Sequence, residues 1–156
     1  MLKVASYDIV FQEIPGEVTL ALNLSNCPCH CPGCHSQHLA EDIGEVLDEE
    51  LLDGLIARYK GLITCVAFMG GDADPEEVAR LAAHLQGLKA AWYSGRQFTP
   101  ETFTYDLSPF AFVKFGPYIE SLGALKSPTT NQHLYKRVGD KWEDITASFW
   151  RKTFEN

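Results

Sequence analysis

The chain lacks three features that would each point to a particular class of protein. No apolar run approaches the roughly 20 residues that a membrane-spanning helix needs. Basic residues are scarce, with 13 Lys and Arg against 21 Asp and Glu, which weighs against a nucleic-acid-binding protein. No linker, low-complexity tract or internal repeat divides the 156 residues. We therefore expect one domain spanning residues 1–156, with neither a membrane nor a nucleic acid as its partner.

The first residues also lack the pattern of a secretory signal peptide, because Asp8, Gln12 and Glu13 interrupt their apolar stretch. We expect a cytoplasmic protein in a reducing compartment, where cysteines serve more often as ligands or catalysts than as disulfides. The cysteines are concentrated in one short segment. The chain has five, and four of them fall within the eight residues "CPCHCPGC" at positions 27–34.

Strand and helix patterns alternate along the chain. Apolar and β-branched runs predict four strands, at residues 18–25, 62–69, 89–94 and 110–115. Helical patterns follow the first two strands, one starting at an Asp48 N-cap and one at an Asp74 N-cap with Pro75 in the first turn. A short helix is predicted near residues 100–104. This order predicts an α/β fold with mostly parallel strands and right-handed crossovers.

The end of the chain departs from this alternation. "HLYKRV" and "KWEDI" flank Gly139-Asp140, which predicts a small hairpin.

A loop rich in glycine or cysteine follows each of the four predicted strands. These loops are "CPCHCPGC", then "GGD" at 70–72, "SGR" at 94–96 and "GPY" at 116–118. In parallel sheets and βα barrels, the ligand site lies along the carboxyl ends of the strands. If the four strands are parallel, the four loops converge on one site.

Three interpretations of the cysteine loop compete. A zinc knuckle would use cysteines of this loop together with His30, His35 or His38. A zinc ribbon is less suitable, because its two cysteine pairs are spaced much further apart in the sequence. A redox dithiol would use only Cys31 and Cys34. An iron–sulfur cluster would use the C-x₃-C-x₂-C pattern of Cys27, Cys31 and Cys34, which leaves one iron open to a ligand. Cys29 is not needed by that pattern, and Cys65 is predicted to be a core residue.

The same pattern resembles the radical S-adenosylmethionine (SAM) superfamily. "CPCHCPGCHS", "MGGDAD", "AAWYSGRQFTPETF", "VKFGPYIESL" and "SPTTNQHLY" follow the order seen in activating proteins of anaerobic ribonucleoside-triphosphate reductases. The resemblance runs from about Phe11 to Tyr135. It implies a partial (open) βα barrel of the radical SAM type, and an oxidoreductase that generates a glycyl radical on the large reductase subunit.

The resemblance also implies the residues of the site. Cys27, Cys31 and Cys34 would hold a [4Fe-4S] cluster whose open iron takes the amino and carboxylate groups of SAM. Gly70, Gly71 and Asp72 stand where the superfamily has a Gly-Gly-Glu that receives the SAM amine, and Ser94 would contact the ribose or carboxylate. An electron-donor protein is a further expected partner.

The sequence leaves the roles of several other residues open. Arg96 and Tyr118 would line the site or belong to ordinary loops, and Asn131 and Gln132 would fix a loop or position the partner's glycine. Two positions depart from the family pattern: Gly33 replaces an aromatic residue, and His133 replaces an arginine. A radical SAM enzyme acting on another glycyl-radical enzyme or on a small molecule is an alternative. A zinc-stabilised binding module is another.

Overall fold

A computed structural model describes residues 1–25 and 41–150 of the protein. These residues form one eight-stranded mixed sheet with two α-helices. The strands are β1 (Leu2–Val10), β2 (Thr19–Leu24), β3 (Glu45–Leu47), β4 (Cys65–Met69), β5 (Lys89–Tyr93), β6 (Phe112–Phe115), β7 (His133–Val138) and β8 (Lys141–Asp144). The helices are α1 (Glu49–Arg58) and α2 (Pro75–His84), and a 3₁₀ turn covers Thr146–Phe149. The strand order is β3-β1-β2-β4-β5-β6-β7-β8.

The predicted fold class, a partial (open) βα barrel with mostly parallel strands, is wrong. Four of the seven strand pairings are antiparallel: β1 with β2, β1 with β3, β6 with β7, and β7 with β8. Each α-helix has only ten residues. The sheet is mixed because the chain enters through the antiparallel strand β1 and leaves through an antiparallel hairpin.

The four strands predicted from apolar runs form the centre of this sheet. Strands β2, β4, β5 and β6 are neighbours, and each pair is parallel. β4 is buried along almost its whole length, as its continuous apolar run predicts. All four strands therefore end at the same edge, which we call the carboxyl edge.

One face of the sheet packs against the two helices. Leu22, Phe68 and Trp92 on this face lie in one cluster with Leu52 of α1 and Leu81 of α2. α1 begins at Asp48, whose carboxylate accepts a hydrogen bond from the Leu51 amide at 2.8 Å, as predicted. α2 begins at the predicted Asp74 N-cap, with Pro75 in its first turn.

The crossover from β5 to β6 contains no α-helix. Aromatic side chains cover the sheet there instead. Phe103 packs on Trp92 with ring centroids 5.3 Å apart, and on Phe115 at 5.1 Å. The short helix predicted near residues 100–104 is only a turn, held by bonds from the Thr102 and Phe103 amides to the Thr99 carbonyl.

The second face of the sheet is covered by loops. Ile14 and Leu125, which come from loops before β2 and before β7, pack on Ala67, Ala91 and Phe112. The buried Cys65 belongs to this layer, as predicted for a core residue. Within the described part of the chain, the second face thus has no α-helix against it, although Phe149 of the 3₁₀ turn packs there, and a cavity lies on this face.

The strand β1 was not predicted, although the alternation of buried Leu2 and Val4 with more exposed neighbours is a usable signal. The predicted hairpin is present as β7 and β8, with Gly139 and Asp140 between them. None of the helices in the described ranges is long and apolar enough to cross a bilayer.

Candidate functional site

The carboxyl edge brings together three of the four predicted loops. Met69, Tyr93 and Lys114 are level with one another across β4, β5 and β6, and Asn23 of β2 is level with Met69. The segments 70–72, 94–96 and 116–118 therefore start side by side. The fourth loop carries the predicted ligands Cys27, Cys31 and Cys34 and also Cys29, all of which lie outside the described residues.

Asp72 links the ends of β4 and β5. Its carboxylate accepts a hydrogen bond from the Ser94 hydroxyl at 2.5 Å and another from the Gly95 amide at 2.8 Å. The Ser94 hydroxyl oxygen in turn accepts from the Arg96 amide at 3.1 Å. Asp72 is 6% exposed and Ser94 is fully buried. Hydrogen bonds to a carboxylate are among the stronger ones in proteins, so this arrangement holds two loops of the edge in one geometry.

This geometry refines what the sequence could say about Asp72 and Ser94. Asp72 does not cap the next helix, because the N-cap of α2 is Asp74. The hydroxyl of Ser94 is engaged with Asp72, so it positions the carboxylate. Direct contact of either residue with SAM stays a prediction.

Gly70 is tied to β5 through both of its main-chain groups. Its amide donates to the Tyr93 carbonyl at 2.9 Å, and its carbonyl accepts from the Trp92 indole at 2.7 Å. Gly71 adopts a φ of +91°, and a Cβ there would lie 2.6 Å from Cγ2 of Val78. The chain thus needs glycine at position 71 for packing under the edge, whether or not a ligand approaches.

Lys114 is the functional candidate that sequence reasoning missed. It is only 8% exposed, and its ammonium group donates to the carbonyls of Ser94 at 3.0 Å and Gly116 at 3.1 Å. The ammonium also lies 5.6 Å from the centre of the Tyr93 ring. The available signal was a single charge inside the apolar run "FAFVKF", since a buried lysine is rare unless it has a role or partners.

The remaining predicted residues lie around the loop after β6. The Asn131 amide donates to the Pro117 carbonyl at 3.0 Å, and the Gln132 amide approaches the Gly116 carbonyl at 3.4 Å. These contacts favour the loop-fixing role for both side chains. Tyr118 is half-buried, while Arg96 is exposed.

A cavity of about 330 Å³ opens on the second face beside Lys114; we call it the Lys114 cavity. Its apolar walls come from Tyr93, Tyr118, Ala124, Leu125 and Phe149. Its polar lining comes from Gln12, Glu13, Lys114, Lys126 and Gln132. Burial raises the pKa of the Tyr93 phenol, and the charge of Glu13 raises it further, so Tyr93 is a neutral wall.

The hydroxyl of Ser25 is also notable at this edge. Ser25 is 4% exposed, and its hydroxyl oxygen is buried without a hydrogen-bond partner among the described residues. Buried hydroxyls nearly always have a partner. A polar group just beyond the end of β2 would satisfy it.

Within residues 1–25 and 41–150, no three His, Cys, Asp or Glu side chains are grouped so that they could hold a metal ion. No family model, no curated protein and no solved structure matches this chain. The resemblance to the radical SAM activases therefore rests on the sequence motifs, and the function drawn from it is a proposal.

Proposed function

We propose that this protein is a radical SAM activating enzyme that generates a glycyl radical on the large subunit of anaerobic ribonucleoside-triphosphate reductase. One observation supports this most: the parallel strands β2, β4, β5 and β6 end at one edge. The end of β2 lies beside Gly70 at that edge, and the C-x₃-C-x₂-C motif follows β2 and Ser25 in the sequence.

The residue types that follow Ser25 in the sequence fit the group that the motif implies. Cys27, Cys31 and Cys34 would supply three thiolates, the donors that iron–sulfur clusters prefer. The buried hydroxyl of Ser25, which has no partner within residues 1–25 and 41–150, lies two positions before the first of them in the sequence. A bound [4Fe-4S] cluster would supply the electron that splits SAM into methionine and a 5′-deoxyadenosyl radical, which then takes a hydrogen atom from the partner's glycine.

Asp72 is the residue best suited to hold the amine of SAM. A carboxylate accepts up to about four hydrogen bonds, so its contacts to Ser94 and Gly95 are compatible with a ligand ammonium group. Those contacts fix the orientation of the carboxylate before a ligand arrives. A fixed acceptor binds with a smaller loss of side-chain freedom than a mobile one.

The first experiment tests the chemistry of the cysteine segment. Anaerobic reconstitution with iron and sulfide should give a brown protein that releases 5′-deoxyadenosine from SAM under reduction. Cys27→Ala, Cys31→Ala and Cys34→Ala should each abolish the release. Cys29→Ala, in the same segment, is the matched control and should keep most of it. A colourless protein holding one equivalent of zinc would instead support the zinc-stabilised binding module.

The second experiment distinguishes the role of Asp72 from that of the nearby Asp74. Asp72→Asn should raise the KM for SAM about tenfold or more, because it removes the charge that attracts the ammonium group. Asp74→Asn changes the α2 N-cap and should alter thermal stability with little effect on KM. Equal KM values for the two variants would contradict the role given to Asp72.

The partner is tested separately. An anaerobic mixture of the reduced, reconstituted protein, SAM and the large reductase subunit should give a glycyl radical signal in electron paramagnetic resonance. Release of 5′-deoxyadenosine without that signal would favour another glycyl-radical enzyme or a small-molecule substrate.

A further inference from the structure

We infer that the Lys114 cavity is a binding site for a small organic carboxylate with an apolar body. The inference uses only cavity residues within the described ranges and none of the cysteine segment. The volume of about 330 Å³ is at the lower end of the range of ligand pockets, roughly 300–1,000 Å³. A ligand of about ten non-hydrogen atoms fits a pocket of that size.

The charge of the cavity has the opposite sign to that of the chain. The whole protein carries a formal net charge of −8. Among the described residues that line the cavity, the charged ones are Lys114, Lys126 and Glu13, so basic groups outnumber acidic groups in this part of the lining. A local excess of positive charge in an acidic protein favours an anion over a cation at this position.

The position of Lys114 makes it the residue that would bind the anion. Its ammonium group is held at the inner wall of the cavity by the carbonyls of Ser94 and Gly116. Because Lys114 is 8% exposed, water screens its charge little. Lys126 differs, since it is exposed and its ammonium donates to the Gln12 side chain at 3.2 Å. Lys126 would therefore contribute less to binding.

The rest of the cavity is suited to a flat apolar body. Tyr93 and Phe149 are far apart in the sequence but pack against the same buried layer. Leu125 belongs to that layer and is 7% exposed. The hydroxyl of Tyr93 is engaged, since it donates to the Glu13 carbonyl. The aromatic rings thus offer apolar surface, and polar recognition is left to the lysines and the amides of the lining.

Three probes of one shape test this inference on the full-length protein. Phenylacetate, phenylacetamide and phenethylamine share a body and differ in the charge of the head group. In NMR titrations, phenylacetate should bind about tenfold or more tightly than phenylacetamide, because hydrogen bonds between charged groups are stronger than those between neutral groups. Phenethylamine should bind weakest, because its ammonium group is repelled by the lysines. Equal affinities, tightest binding of the amine, or no binding of phenylacetate at tens of millimolar would each overturn the inference.

Three variants locate the site. Lys114→Met should weaken phenylacetate binding about 10- to 100-fold, in keeping with the loss of one buried charge-assisted bond. Lys126→Met at the exposed rim should weaken it only about two- to threefold. Glu13→Gln should strengthen it a few-fold by removing a repulsive charge.

The last variant keeps the inference testable if Lys114→Met fails to fold. Glu13→Gln leaves in place the carbonyls of Ser94 and Gly116 to which Lys114 donates, and position 13 still offers its main-chain carbonyl to Tyr93. Weaker phenylacetate binding by Glu13→Gln would contradict the proposed anion site.

Discussion

Replacing Gly71 by alanine should destabilise the protein strongly, for two separable reasons. Its φ of +91° is a conformation that residues with a side chain rarely adopt. A Cβ at this position would also lie 2.6 Å from Cγ2 of Val78 and 3.1 Å from Cδ1 of Leu24. Both neighbours are buried in the core cluster, so neither can move without disturbing its own packing.

The expected cost is the sum of a backbone contribution and a packing contribution. An unfavourable positive φ costs roughly 1–2 kcal/mol in a residue with a Cβ. Overpacking a well-filled core costs typically about 1–3 kcal/mol. Together they predict a loss of about 2–5 kcal/mol in the free energy of unfolding. Gly87 is the matched control, because its φ is +76° and a Cβ there would meet nothing within 4 Å. Gly87→Ala should cost only the backbone contribution.

Urea unfolding of both variants measures the two contributions, provided that the m-value is unchanged. A third variant, Gly71→Ala with Val78→Ala, makes room for the new methyl group. It should recover about 1–2 kcal/mol relative to the sum of its two single substitutions. The reasoning is refuted if Gly71→Ala costs no more than Gly87→Ala, or if the double variant shows no recovery.

Two further predictions concern titratable groups. Burial raises the pKa of the Cys65 thiol to about 12. At pH 8, iodoacetamide should therefore leave the Cys65 peptide unlabelled until the protein is denatured. Labelling of the folded protein, detected by mass spectrometry, would contradict this prediction. Burial opposes ionisation of Asp144, but hydrogen bonds from Thr146 and His133 lower its pKa overall. The carboxylate therefore stabilises the fold above the ordinary carboxyl pKa, and this stabilisation is lost as the pH falls through the lowered value. The stability difference between wild type and Asp144→Asn should thus be constant above about pH 5 and shrink below about pH 4; a difference that grows in acid would contradict it.

The central strands could be predicted because their signal is local. Buried parallel strands are continuous apolar runs, and "LITCVAFM" is such a run. The fold class could not be predicted in the same way. Whether β1 and β7 run parallel or antiparallel to their neighbours depends on chain direction, which a hydrophobic pattern does not encode. The absence of an α-helix between β5 and β6 could not be predicted either, because Phe103 covers the sheet there through tertiary contacts.

In the candidate site, too, the features with a local sequence signal could be predicted and those that depend on tertiary contacts could not. The loop of Gly70, Gly71 and Asp72 was found because turn residues after a strand are visible in the sequence. The bond from Ser94 to Asp72 was not foreseen, because it joins residues that are 22 positions apart. The role of Lys114 could not be predicted from the strand pattern "FAFVKF", because the carbonyls to which its ammonium group donates belong to Ser94 and Gly116 at the strand ends.

The pairing of Val4 has a consequence for anything that binds the cysteine segment. Val4 of β1 pairs with Leu24 on one side and with Glu45 on the other. A Cβ on Gly44, whose φ is +99°, would lie 2.1 Å from the Val4 carbonyl oxygen, so only glycine lets the returning chain lie against β1. The chain between Leu24 and Glu45 is thus closed by the sheet, with its ends roughly 10 Å apart across two strand spacings. Because the sheet fixes both ends of this chain segment, binding of an ion or a cluster to it would cost less chain entropy than binding to a free peptide.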